Sequence, residues 1–393
     1  MQELLTDKNH VPTDTTDWNL TRIGDIADFS KGTGLPKSII GTNKKNKCIH
    51  YGELFTDYGA RINKIKSTTE WTGKSFSSNN DVLMPTSDVT PHGLAKASAL
   101  TKPDIILGSD ILIMRLSPDK AFAPFIAYLI RHNEQKVLKL VRGSTVYHIY
   151  ASDLNNLEIL LPPLPIQKKI VEILDAADVK IQTLEKQLES TKAIKQGLMQ
   201  ELLTGKTRLP SFSEKWNIST FGNVLQFIRG SSVPHQIKHG SIPLIAAGIK
   251  PADYIDTANR KGPVISISSS GANAGYVAWH DSDIWASDCT TVSHAKDITL
   301  KYAFYLLKLK QNQIFLSQTG GAQPHVHAKD VSPIEIQYPS EVSEQTKIIE
   351  ILDAADAKIQ ALEKQLESTK AIKQGLMQEL LSGRTRLTTG DKS

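Results

Sequence analysis

Residues 167–209 and 345–387 are one sequence written twice. At an offset of 178 only six positions differ: Lys168/Thr346, Val171/Ile349, Val179/Ala357, Thr183/Ala361, Thr204/Ser382 and Lys206/Arg384. Both stretches are long, free of proline and rich in helix formers, so both read as helix. Apolar or small residues recur at Ile170, Leu174, Ala177, Ile181, Leu184, Leu188 and Thr191, and again at Ile348, Leu352, Ala355, Ile359, Leu362, Leu366 and Thr369. Alternating steps of four and three make a heptad seam. One helix of about 36 residues, roughly 55 Å long at 1.5 Å per residue, cannot bury such a seam alone. Two copies can bury theirs against each other. Antiparallel pairing is the simplest, because the intervening residues must return the chain. The expectation is a two-helix spacer around which everything else is arranged.

Toward its end each helix broadens its apolar face, with Ile173, Ile194, Leu198, Met199, Leu202 and Leu203 in the first copy. A face that wide packs on the following globular unit or docks a partner helix, once per copy. Leu198, Met199 and Leu202, with Leu376, Met377 and Leu380, are the candidate docking residues. Gly205 and Gly383 read as helix stops.

Met1–Thr6 repeats Met199–Thr204 at an offset of 198, which persists through Trp18/Trp216, Gly24/Gly222 and Gly32/Gly230. The chain therefore opens on the tail of its own repeat. The expected division is a stub over 1–17, a first globular unit over 18–164 and a spacer helix over 165–209. A second unit over 210–342, a second helix over 343–387 and a tail over 388–393 follow. The fold class is α+β: two similar domains separated by two long helices in an antiparallel coiled coil, a pseudo-two-fold circular arrangement. Each unit alternates short strand-like runs with turns and carries one helix, Ala123 to Leu140 and Lys301 to Leu316. A polar glycine-containing loop follows each helix, Arg142–His148 and Gly320–His327. At an offset of 177, His148 meets His325 and Asp153 meets Asp330. The middles diverge: Trp18 to Gln167 spans 149 positions and Trp216 to Gln345 only 129. One frame with two unlike interiors points to two related but different ligands.

The net charge of +5 and pI near 8.9 permit a nucleic-acid partner without requiring one. The first unit, counted over 18–166, holds 18 Lys+Arg against 13 Asp+Glu; the second, over 216–344, holds 10 of each. Two distant cysteines, Cys48 and Cys289, suit a reducing compartment. No apolar signal core opens the chain, and no run approaches the ~20 apolar residues of a bilayer span. A soluble cytoplasmic protein without membrane contact is expected. Catalytic motifs fail one by one. Gly73-Lys74-Ser75 lacks the earlier glycine of a phosphate loop, where Thr68 stands, and Gly32–Ser38 has proline at its second glycine. His325, His327, Cys289 and His294 match no standard metal spacing. The residues read as a binding protein with no active site, metal or cofactor of its own. The candidate phosphate contacts are Lys44, Lys45, Lys47 and Arg142 in the first unit, and Arg229, Arg260, Lys261 and Lys329 in the second. Ser87, Ser144, Thr145, Tyr147, His148, Ser269, Ser270, Asn273, Gln323, His325 and His327 carry donors and acceptors suited to base edges. The serines, threonine, asparagine and glutamine among them equally suit turns.

Taken together, Lys195–Lys206 in its duplicated helix, the lead-in Pro162-Pro163-Leu164-Pro165-Ile166-Gln167, the Trp-Asn starts at 18 and 216, and the glycine-rich loop with His325 are similar to type I restriction–modification specificity subunits. The second lead-in departs, with Pro339-Ser340 in place of the double proline. The first loop has Val146-Tyr147 where the second has Gln323-Pro324. The resemblance implies a non-catalytic DNA-binding subunit whose two target-recognition domains read an asymmetric bipartite duplex sequence. It implies two docked modification subunits that carry S-adenosylmethionine and methylate adenine. Restriction subunits using ATP and Mg would complete the assembly. A protein-only coiled-coil scaffold, or a methyltransferase with an unfamiliar site, is the alternative.

Overall fold

The computed structural model describes residues 18–233, 238–385 and 387; the stub over 1–17 and the tail over 388–393 lie outside the described residues. The chain forms two compact units, one of residues 1–183 with 366–393 and the other of residues 184–365. Each unit thus takes one half of each long helix.

In unit 1, β1 (Ala27–Lys31), β2 (Asp81–Pro85), β3 (Ser98–Leu100) and β4 (Ile111–Leu116) form an antiparallel sheet in the order β1-β4-β2-β3. The helix α1 (Ala123–His132) follows, with every residue from Ala123 to Ile130 buried. In unit 2, β5 (Leu225–Arg229), β6 (Val264–Ser268), β7 (Val277–His280) and β8 (Cys289–Ala295) repeat that order as β5-β8-β6-β7. The long helices are α2 (Leu164–Leu202) and α4 (Val342–Leu381), and α3 (Leu300–Leu309) is the counterpart of α1. The expected single helices over 123–140 and 301–316 are each broken in two, resuming at Glu134–Leu138 and Gln311–Leu316. At the first break Asn133 bonds the Leu129 carbonyl with both its backbone N–H and its side chain, closing the helix there.

Gly32 and Gly230 occupy the same crowded turn. A Cβ on either would lie 1.9 Å from a carbonyl oxygen, that of Gly108 or Ser287. Gly32→Ala and Gly230→Ala are each expected to cost about 3 kcal/mol, because backbone has to move, and denaturant unfolding would measure it.

Each unit contains a stretch of antiparallel helix pair. In unit 1, Ile170, Val171 and Leu174 share a core with Leu376, Leu380 and Leu381. In unit 2, Met199, Leu202 and Leu203 share one with Ile348 and Leu352. The seam residues Ile170, Leu174, Ala177, Leu184, Ile348, Leu352, Ile359 and Leu366 are buried; Ile181, Leu188, Ala355 and Leu362 are half-buried. This packing corrects the expected docking set. Met199, Leu202, Leu376 and Leu380 are buried, and Leu198 and Met377 are half-buried against the same cores. These six residues seat each helix on its own globular unit, whereas Ile194 and its copy Ile372 stay exposed.

The helices are locked by one polar knot, built twice. In unit 1 the Tyr128 hydroxyl reaches Asp175 at 2.9 Å and Asp178 at 2.6 Å, and Lys373 pairs with Asp178 while lying over the Tyr128 ring. In unit 2, Tyr305 reaches Asp353 and Asp356, and Lys195 pairs with Asp356 over the Tyr305 ring. Spacing of three puts both aspartates on one helix face. Burial beside two carboxylates drives both tyrosine pKa values far up, so the hydroxyls stay protonated donors. A second clamp is also duplicated. Gln167, wholly buried, accepts from the Phe122 N–H and donates to the Lys120 and Pro162 carbonyls. Gln345 does the same with Thr299, Asp297 and Pro339.

The circular reading appears at the helix stops. Gly383, at φ +71°, faces the Trp18 ring, as Gly205, at φ +66°, faces Trp216. Glu344, fully buried, is held by Arg208 at 2.8 and 2.9 Å and by the Trp216 N–H at 3.3 Å. Ile166 stands at the equivalent position of the first copy.

Candidate nucleic-acid interface

The two glycine-containing loops close in the same way. Arg142 and His148 exchange backbone bonds of 2.9 and 2.7 Å, and Thr319 and His325 exchange bonds of 2.9 and 2.7 Å. Gly143 at φ +115° and Gly320 at φ +92° supply the left-handed turn that an L-residue resists. Each loop is then stitched to the strand end of its sheet. His148 pairs with Ser87 and Tyr147 with Asp88, while His325 bridges Ser270.

Unit 1 therefore brings Ser87, Arg142, Ser144, Thr145, Tyr147 and His148 together. Arg142, Ser144 and Thr145 are exposed; Tyr147, His148 and Ser87 are half-buried. Arg142 is partly neutralised by its ion pair with Asp153. Lys44, Lys45 and Lys47 sit on a different sheet, on or beside the strand Asn46–Ile49. Lys44 is tied down, its ammonium donating to the Ile39 carbonyl at 2.9 Å; Lys45 and Lys47 are exposed.

Unit 2 brings Asn273, Gln323, His325 and His327 together, with Lys329 exposed on the short helix Ala328–Val331. Three residues are corrected. Ser269 and Ser270 are buried, and the Ser270 hydroxyl donates to Asp288, so neither presents a free group to a duplex. Arg260 is consumed internally, donating to Thr291, Asn259 and Arg229. Arg229 and Lys261 remain exposed.

Sequence reasoning missed Tyr150. Its ring stacks on His148 at 6.2 Å, as His327 stacks on His325 at 5.9 Å. The signal was present: His327 minus the offset of 177 is position 150. Each unit thus offers an aromatic pair beside an exposed polar loop, with different side chains. No group of three or more His, Cys, Asp or Glu suited to a metal ion occurs among the described residues. Both thiols are buried, which pushes Cys48 up to about 11 and Cys289 up to about 12. Iodoacetamide is expected to label neither in the folded protein and both after denaturation, as mass spectrometry would show.

Two unlike loops are thus presented by one duplicated α+β frame. The family model described as "Type I restriction modification DNA specificity domain" matches residues 15–193 and again 213–371. The chain belongs to that family and is a specificity subunit of a type I restriction–modification system. A protein of Methanocaldococcus jannaschii, named for the specificity subunit of the type I restriction enzyme MjaX, is 27% identical over 73% of this chain and 74% of its own. The specificity subunit of the type I restriction enzyme MjaVIII, from the same organism, is 23% identical over 94% of this chain and 93% of its own. The crystal structure of a type I restriction–modification S subunit from M. genitalium shares the fold. Its TM-score is 0.69 at 19% identity, over 96% of this chain and 99% of that one.

Proposed function

We propose that this chain is the non-catalytic reader of a bipartite, asymmetric duplex DNA target, each unit reading one half-site. The observation that carries this is the pair of loop sites: the same backbone closure on His148 and His325, with Ser144, Thr145 and Tyr147 in one and Gln323 and His327 in the other. A shared frame sets position, and the unlike side chains set the bases read. Arg142, Lys45, Lys47, Arg229 and Lys329 supply phosphate contacts.

Two modification subunits dock on the helices, bringing S-adenosylmethionine for adenine methylation, and restriction subunits bring ATP and Mg. The docking surface is the exposed stripe Ser190, Ala193, Ile194 and Gly197, with Ser368, Ala371, Ile372 and Gly375 as its copy. Ile194 is 58% exposed and Ile372 44%. A Cβ on either glycine would meet nothing within 4 Å, yet glycine inside a helix costs about 1 kcal/mol against alanine. A close-approaching partner backbone rationalises that cost at both copies. No described helix is long and apolar enough to cross a membrane, and the proposed work lies with chromosomal DNA in the cytoplasm.

The test is base readout. Ser144→Ala with Tyr147→Ala is expected to relax one half-site by about 1–3 kcal/mol per lost base contact, and Gln323→Ala with His325→Ala the other. Competition binding with single-base target variants reads both. Equal weakening on every sequence would contradict base reading by these loops.

A further inference from the structure

The two sheets differ on one face. In unit 1, Leu83 of β2 and Leu100 of β3 are wholly buried under Leu54, Tyr58 and Ile62, which belong to the segment that makes this unit longer. The strand registers show what stands there in unit 2. Leu83 lies opposite Ser98 and Ile113, as Ser266 lies opposite Ala278 and Thr291. Leu100 lies opposite Asp81, as His280 lies opposite Val264. An apolar pair has become a polar one, with the Ser266 hydroxyl 2.8 Å from His280 Nε2. Where unit 1 is filled, unit 2 keeps a cavity of about 280 Å³. Its floor is Ser266, Ser268 and His280, and Tyr254, Tyr276 and Lys250 also line it.

We infer that this cavity is a binding pocket for the base of a single nucleotide. The volume is at the low end of small-ligand pockets and suits one such unit. The Ser268 hydroxyl donates to the Ala247 carbonyl and keeps its oxygen as an acceptor, and the Ser266–His280 pair, bonded to each other, can exchange that bond for ones to a base edge. Burial lowers the His280 pKa and keeps the ring uncharged near neutrality. Tyrosine rings and aliphatic walls suit the faces of a planar heterocycle. Among the described residues no carboxylate lines the cavity, and Lys250 is exposed to meet a phosphate. A hard cation finds no oxygen-anion ligands among the described residues of the lining, and a purely apolar ligand would gain nothing from the polar floor.

Two sources supply this chemistry: a free mononucleotide, or a nucleotide unstacked from bound DNA. The strand that floors the pocket runs straight into Ser269 and Ser270, where the His325 loop is stitched on by the Val326 N–H and the Ser270 bridge. The DNA source rests on the reading proposed above; the pocket itself does not.

The full chain is titrated with each of the four 5′-mononucleotides by calorimetry. The same chain, with its modification partner, is bound to target duplexes carrying 2-aminopurine at successive positions. Saturable mononucleotide binding is expected, weakened about tenfold by Ser266→Ala. The pair Ser266→Leu with His280→Leu, which copies unit 1, is expected to abolish it. Ser266→Ala keeps the test open if that pair fails to fold. Enhanced 2-aminopurine fluorescence at one position, lost in the variants, assigns the ligand to DNA; mononucleotide binding without enhancement assigns it to a free nucleotide. Neither signal, with target binding intact, overturns the pocket. Absence of target binding overturns the DNA reading instead, and the calorimetric arm then decides the pocket alone.

Discussion

Asp178→Ala is expected to destabilise unit 1 by about 2–3 kcal/mol, and Asp356→Ala to do the same to unit 2. Each substitution removes the acceptor shared by a tyrosine on the domain helix and a lysine on the opposite long helix. The lysine is then left half-buried without its counter-charge, which costs more than the lost attraction. Tyr128→Phe and Tyr305→Phe leave the ion pairs in place and cost about 1 kcal/mol each. The cysteines give a readout for each unit, because Cys48 lies in unit 1 and Cys289 in unit 2 and both are buried. In Asp178→Ala, Cys48 is expected to become labelled at lower denaturant than Cys289; in Asp356→Ala the order reverses. Unchanged labelling of both would show that the knots do not hold the domains on the helices.

The second large effect concerns the spacer. One heptad added to each long helix, between Ile181 and Leu188 and between Ile359 and Leu366, preserves the seam. Seven residues at 1.5 Å add about 10 Å, or about three base pairs at 3.4 Å each. The methylated target is expected to keep both half-site sequences and gain that gap. Three added residues break the seam and are expected to abolish the complex. A changed half-site sequence would show that the helices take part in reading bases.

The parts of this architecture that came through in the sequence are those fixed by repetition and period. The heptads gave the helices, and the offsets of 177, 178 and 198 paired Tyr128 with Tyr305, Gln167 with Gln345 and Trp18 with Trp216. What stayed hidden depends on how a residue's neighbours fold around it. Leu198, Met199 and Leu202 look alike as docking or as core residues until the globular unit arrives to cover them. Ser270 and Arg260 are polar by composition, but their capacity is used up by Asp288 and by the carbonyls of Asn259 and Arg229. The replacement of Leu83 and Leu100 by Ser266 and His280 is invisible without strand register, because the offsets there are 183 and 180 and no single shift aligns them.

The central claim is that each unit reads its own half-site independently. The direct measurement is genome-wide adenine methylation mapping in cells carrying the modification subunit and either this chain or a chimera. In the chimera, residues 216–338 come from another specificity subunit. One bipartite motif is expected for the intact chain, and for the chimera a motif with one half replaced, the other half and the gap unchanged. A chimera motif altered in both halves, or an uninterrupted motif for the intact chain, would contradict it.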